Sequence, residues 1–222
     1  MSKNGLESLS EGCKPYPKPK QRPTVTIAIG LISKKVTLRD TERIVLACES
    51  ETTFEVAKNQ DAKKLNVIEF ENGKALAVYS RSIKMGDAVI ETMQRRAKDK
   101  RIENADTVVN VAKDSMREVR TYLQEINKNV LIDWHRYFWD DYPLELLVAY
   151  FFDGNPYLYA LHIDTVIPSR VKGNFIGIGI GKDLAEFLLR EYSLADPDFE
   201  FGDLIATAVI EKPAVSEFVT SK

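Results

Sequence analysis

Cysteine and histidine are nearly absent from this chain, with two of each in 222 residues. Cys13 and Cys48 give no disulfide framework, and His135 and His162 do not combine with them into a zinc-ligand spacing. No metal and no cofactor is therefore expected. Long apolar runs are missing too. The longest, Leu144 to Phe152, carries Glu145 and falls short of the roughly 20 apolar residues that span a bilayer as a helix. Met1 to Gly12 holds no apolar stretch of the kind that directs secretion. An excess of charge is lacking as well. Lys and Arg number 31 against 33 Asp and Glu, and the two signs are interspersed, so there is no electrostatic footprint for nucleic acid. The expectation is a cytoplasmic protein with neither nucleic acid nor membrane as a partner.

What remains is ordinary globular composition, 44% hydrophobic and 29% charged, at a length that suits one large domain or two small ones. The division falls early. Lys14 to Pro23 is proline-rich and basic, which forbids helix and central strand alike. Residues 1–23 read as an extended, solvated leader, with a recognition segment or a cleavable leader as alternatives. Residues 24–222 read as one domain.

That domain begins with strands. Thr24 to Ile32 is β-branched and almost continuously apolar, and Ile44 to Cys48 is a second short buried run ending at Glu49. Lys64 to Phe70 alternates apolar with polar residues, Asn72-Gly73 supplies a turn, and Lys74 to Tyr79 returns. Two helices follow. Val89, Ile90, Met93 and Ala97 share one face between Gly86 and Lys98. Asp106 is placed to cap the next helix, with a stripe of Val108, Ala112, Val119, Leu123 and Ile126. Leu144 to Phe152 and Tyr157 to Ile163 form a hairpin about Asp153-Gly154. Asn174 to Ile180, a helix from Lys182 to Tyr192 and a further helix from Phe199 to Glu211 complete the order. Strands and helices in separate blocks argue for layered antiparallel sheets rather than a βαβ parallel sheet.

This order, with particular residues in it, resembles the β-type subunits of the proteasome and their bacterial relatives, the N-terminal-nucleophile hydrolases. Thr24 to Ile29 looks like the opening strand, on which that family carries its catalytic threonine. Ile44 to Glu49 resembles the strand that ends in the acidic member of the site, and Lys63-Lys64-Leu65 the start of the strand with the catalytic lysine. Tyr157 to Leu161 and Gly177-Ile178-Gly179-Ile180-Gly181 resemble the strand and glycine-rich turn before the third helix. The resemblance runs from Thr24 to the last helix. It implies an α+β fold, a four-layer αββα sandwich of two antiparallel sheets. It also implies a homo-oligomer, in a ring or stacked rings, that acts on polypeptide or small amide substrates as a threonine peptidase or amidase. Thr24 or Thr26 would be the nucleophile, Lys64 the lysine and Glu49 the carboxylate.

The chemistry of those residue types is coherent. An N-terminal threonine can be activated by its own α-amine, whose pKa of about 7.7–8.0 leaves it partly neutral at physiological pH. A lysine paired with a carboxylate would then stabilise the ionised hydroxyl. Each residue also has a plainer reading. Both threonines are good strand formers, Glu49 could be a strand-terminal carboxylate facing water, and Lys63 rivals Lys64 because a slip of one residue reverses the face. The glycines at 177–181 could cradle a phosphate but read better as a tight strand-to-helix turn. The aromatic residues between Trp134 and Tyr142 read as buried under the sandwich edge rather than as a stacking platform.

The sequence departs from the active pattern in places. Thr24 follows Pro23 and Thr26 follows Val25, whereas active members release their threonine after a glycine. Until the leader is removed, neither threonine has a free amine. Lys34 to Arg43 looks like an insertion between the first two strands. Val78 and Ile178 stand where the family has a glycine of the oxyanion region and a supporting serine. After Pro213 the chain is short, so an open sheet edge is expected there, to be covered by a neighbouring subunit. The alternative to an enzyme is a catalytically inactive subunit serving assembly or interaction.

Overall fold

Apolar and β-branched runs become strands, and the two striped segments become helices. A computed structural model of the chain describes residues 27–33, 43–49, 52–53, 58–59, 64–129, 144–195 and 213–219. In chain order these are β1 (Ile27–Ser33), β2 (Arg43–Glu49), β3 (Thr52–Thr53), β4 (Lys58–Asn59), β5 (Leu65–Phe70) and β6 (Gly73–Ser80). Then come α1 (Ile83–Ala97), α2 (Thr107–Asn129), β7 (Glu145–Phe152), β8 (Asn155–His162), β9 (Ser169–Arg170), β10 (Phe175–Gly179), α3 (Lys182–Ala195) and β11 (Pro213–Val219). The expected helix at Phe199 to Glu211 and the aromatic residues between Trp134 and Tyr142 lie outside the described residues.

Two antiparallel sheets carry the structure. One has the order β10-β1-β2-β11, the other β5-β6-β7-β8-β9, and β3 pairs with β4 alone. At the C-terminal end of the chain the sheet continues past β2, and β11 becomes its edge strand. Pro213 to Val219 pair with Glu49 to Arg43, so β11 covers the edge of β2. Its proline sits at the first position, where a missing N–H is tolerated.

Three apolar layers hold four layers of backbone together. Val89, Ile90, Met93 and Ala97 of α1 and Val108, Ala112 and Val119 of α2 pack on Ile68, Ala77, Leu146 and Val148 of the five-stranded sheet. The opposite face of that sheet, with Leu76, Val78, Leu147 and Leu158, meets Ala28, Ile44, Leu46 and Cys48 of the other sheet. The far side of β1 and β2, with Ile29, Leu31, Val45 and Ala47, receives Ala185 and Leu189 of α3. Period-two alternation on the strands thus serves two cores at once. Each large side chain buried in them contributes about 1.5–3 kcal/mol. The result is the αββα sandwich, an α+β fold.

Local chemistry explains most of the boundaries. Ser82 caps α1, its Oγ accepting from the Met85 N–H at 3.4 Å, so the helix starts ahead of Gly86. Asn104 organises the entry to α2, its Oδ1 accepting from the Asp106 N–H at 2.9 Å and from the Thr107 hydroxyl at 3.2 Å. The β7–β8 hairpin turns through Asp153 at φ 51 and Gly154 at φ 72, as a two-residue loop of mirror-image type requires. The β5–β6 turn lies one residue earlier than expected, at Glu71-Asn72, because Phe70 pairs with Gly73. Asn72 is held there from outside the hairpin. Its Oδ1 accepts from the Ile102 N–H at 2.7 Å and its Nδ2 donates to the Ile102 carbonyl at 3.2 Å.

Candidate functional site

The strand registers bring several chain positions to one end of the sandwich. Ile27, where β1 begins, is opposite Gly179, where β10 ends. Ala28 pairs with Cys48, so β2 reaches its last residue, Glu49, at the same end. In the other sheet β5 begins directly after Lys64, β6 ends at Ser80, β7 begins at Glu145 and β8 ends at His162. Ser80 is paired with Glu145, and Glu145 with His162. Lys182 opens α3 shortly after β10.

Glu145 joins the two sheets there. Its side chain is 1% exposed. Oε2 accepts from the Gly179 N–H at 2.5 Å, from Ser80 Oγ at 3.3 Å and from Arg81 Nε at 3.3 Å. Oε1 lies 2.7 Å from His162 Nε2 and 3.7 Å from Lys182 Nζ. Burial pushes this carboxyl up. The Gly179 N–H and the charges of Arg81, His162 and Lys182 outweigh it and hold the group below the usual carboxylate range.

Two backbone features frame the cluster. Gly179 has φ 93, which a side chain would strain, and this conformation accompanies its donation to Glu145. Arg81 has φ 79 without being glycine, at the elbow between β6 and the Ser82 cap, and its side chain is tied to Glu145. Strain of that kind costs about 1–3 kcal/mol and persists only where surrounding contacts impose it. The neighbouring glycine turn is tight. A Cβ on Gly177 would stand 3.1 Å from Lys182 Cβ, and the Gly177 N–H donates to Glu186 Oε1 at 2.9 Å.

Of the residues proposed from sequence, Lys64 is buried at this end of the sandwich, 1% exposed, and is not without a partner. Glu49 is present as the last residue of β2, paired with Pro213. Thr24, Thr26 and Lys63 lie outside the described residues, and so does the Glu49 side chain. Val78 and Ile178 belong to the core between the sheets, at 0% and 3% exposure. The special backbone position after β6 is Arg81. Sequence reasoning missed Glu145, Arg81, His162 and Lys182 as a group. The available signal was a lone carboxylate in an apolar run, which has to be paired if it is buried.

Elsewhere, a groove of about 1030 Å³ lies between α1 and α2, lined by Lys84, Ala88, Thr92, Arg96, Glu118 and Tyr122. It belongs to the outer helical layer, where Glu118 accepts from Arg95 and, at 2.7 Å, from Arg96. Among the described residues no group of acidic, histidine and cysteine side chains is arranged to hold a metal, and no helix is long and apolar enough to cross a membrane.

No family model matches the sequence, and no curated protein matches it. Solved structures do. Anbu, an ancestral β-subunit, from Yersinia bercovieri superposes with a TM-score of 0.57 at 12% identity, over 75% of this chain and 65% of that one. A mutant Anbu from Hyphomicrobium sp. strain MC1 gives 0.55 at 16% identity, with the same coverage. Another Anbu structure from that strain gives 0.52 at 16%, over 74% and 65% of the two chains. The chain thus spans a little under two thirds of the length of these neighbours. At such identities the likeness is one of fold, and the fold is the proteasome-like sandwich of Anbu.

Proposed function

We propose that this chain is a proteasome-like N-terminal-nucleophile hydrolase, a threonine peptidase or amidase that cleaves peptide or amide bonds by acyl transfer once its leader is removed. The observation that carries the reading is Lys64, a buried lysine at the end of the sandwich where β1 begins and β2 ends. Lysine is rarely buried, because desolvating an ammonium is costly unless a partner compensates. A lysine kept at such a position is suited to stabilising the ionised hydroxyl of a threonine.

In this reading Thr24 or Thr26, exposed as the first residue by trimming, attacks the carbonyl, and its own α-amine takes the hydroxyl proton. Lys64, paired with Glu49, supports the ionised hydroxyl, and as the C–N bond breaks the substrate's amine leaves with the proton that the α-amine took. Water then hydrolyses the acyl-threonine. The protein works in the cytoplasm as a homo-oligomer, in a ring or stacked rings, a reading supported by its likeness in fold to an ancestral β-subunit. A second reading, an inactive subunit serving assembly, is favoured by the exposed Ile180, Leu184 and Phe187 near the start of α3.

The test is covalent labelling. Chains whose first residue is Thr24 or Thr26 are treated with electrophiles that trap N-terminal nucleophiles, beside the full-length chain. One trimmed chain should gain the mass of the reagent, the full-length chain should not, and Lys64→Ala should abolish labelling without unfolding the protein. Folded trimmed chains that both resist labelling would remove the threonine mechanism and leave the assembly reading.

A further inference from the structure

The cluster around Glu145 gathers two permanent cations, a histidine and two neutral donors about one carboxylate. A carboxylate offers about four acceptor positions. Gly179, Ser80 and Arg81 crowd Oε2 at 2.5, 3.3 and 3.3 Å, and His162 lies 2.7 Å from Oε1. Lys182 Nζ stands at 3.7 Å, beyond hydrogen-bonding distance. Among the described residues Arg81 engages Glu145 through Nε alone, which leaves the two terminal nitrogens of its planar fork. Two permanent cations thus face one carboxylate, before any charge on His162 is counted.

A purely structural pair would need one cation and would be closed to water. Here His162 and Lys182 are 43% and 40% exposed, so the surplus charge is reachable from solvent. Asp183 and Glu186 follow on α3 as carboxylates, Glu186 Oε1 accepting from the Gly177 N–H at 2.9 Å, and they limit the net charge of this end.

We propose that Arg81, His162 and Lys182 form a carboxylate-binding subsite at this end of the sandwich, with Glu145 holding the three in place. Its ligand is a peptide carrying a carboxylate, either the C-terminal group or an acidic side chain. The choice of a peptide rests on the hydrolase reading; the preference for an anion rests on the cluster alone. An arginine fork beside an ammonium suits a planar carboxylate, since charge-assisted bonds of this type are the strong ones.

The experiment uses the full-length, isotope-labelled chain and follows the His162 ring and the Gly179 amide by NMR. Four probes are titrated: N-acetyl-alanyl-alanine, its C-terminal amide, N-acetyl-glutamic acid α-amide, whose one carboxylate is that of the side chain, and inorganic phosphate. The expected result is saturable shifts with the two carboxylates and none with the amide. The tighter of the two carboxylates identifies the source. Lys182→Gln should weaken binding about tenfold, the loss of one charge-assisted contact, while Lys182→Arg retains it. His162→Gln, on a half-exposed side chain, gives a second weakened variant. Absence of saturation, equal shifts with the amide, phosphate binding as well as the carboxylates, or indifference to both substitutions would overturn the assignment. None of these outcomes depends on the threonines. A chain that binds carboxylates but escapes electrophile labelling keeps the subsite and loses the peptidase reading.

Discussion

Replacing Glu145 by glutamine keeps the shape of the side chain and removes its charge, so it isolates the electrostatic role of the cluster. Taking one partner from a fully buried ion pair costs about 3–5 kcal/mol. Arg81, His162 and Lys182 are 19%, 43% and 40% exposed, so water recovers part of their solvation, and the cost should fall to about 2–3 kcal/mol at pH 7. The glutamine also turns an NH₂ toward groups that donate, leaving either the Gly179 N–H or His162 Nε2 without its acceptor. The pH dependence follows from the depressed carboxyl. A group whose folded pKa lies below its unfolded value, about 4.3 for glutamate, contributes stability that is complete above that value and is lost as pH falls through the folded pKa. Urea unfolding followed by far-UV circular dichroism should therefore show the gap between wild type and Glu145→Gln at pH 7, narrowing below about pH 4. A gap that is the same at pH 3 and pH 7 would mean that packing rather than charge is lost. No gap at pH 7 would refute the reasoning outright.

Two further outcomes concern packing. A Cβ on Gly86 would meet the Tyr79 ring at 2.3–2.5 Å, and that ring is buried, with its hydroxyl 2.5 Å from Asp87 Oδ1. Gly86→Ala should gain about 1 kcal/mol of helix propensity and lose more to overpacking, for a net destabilisation of about 1–2 kcal/mol. A denaturant midpoint above wild type would contradict it, and Tyr79→Leu in the same chain should restore part of the loss. Leu46, 0% exposed between the sheets, should cost about 2–5 kcal/mol on truncation to alanine. Lys64→Ala and Glu49→Ala should each cost less in the same melts, and the opposite ranking would make those residues a structural ion pair.

Much of the fold was legible because its signals are periodic and local. The stripe from Val89 to Ala97 is buried as its spacing implied, and Asp153-Gly154 turns the hairpin its composition predicted. The β5–β6 turn was misplaced by one residue because the anchor of Asn72 is Ile102, thirty residues away in sequence. Strand β11 was missed for a similar reason. Pro213 to Val219 alternates only weakly, and its place depends on β2 offering an edge. Lys64 was singled out through a resemblance, whereas Glu145 was passed over. Nothing near Glu145 in sequence announces partners drawn from residues 80, 81, 162, 179 and 182. Contacts of that separation exist only once the strands are paired.

The same cluster bears on how the site end is specified. Over most of its area the interface between the sheets is apolar, with Leu46, Leu76, Leu147 and Leu158 in contact. Such packing is largely non-directional, and volume-conserving repacking is tolerated in it. At the end where β1 begins, contact between the sheets becomes directional. The Gly179 N–H of one sheet donates to the Glu145 carboxylate of the other, and Ile27 is paired to Gly179. Glu145 therefore ties the start of β1 to the ends of β6 and β8 and to the elbow at Arg81, whose φ of 79 local sterics disfavour. Apolar burial brings the two sheets together, and one buried carboxylate sets how their ends meet. Substitutions in the apolar interlayer should accordingly lower stability while sparing the geometry of this end, and substitutions of Glu145 should disturb that geometry even where the chain stays folded.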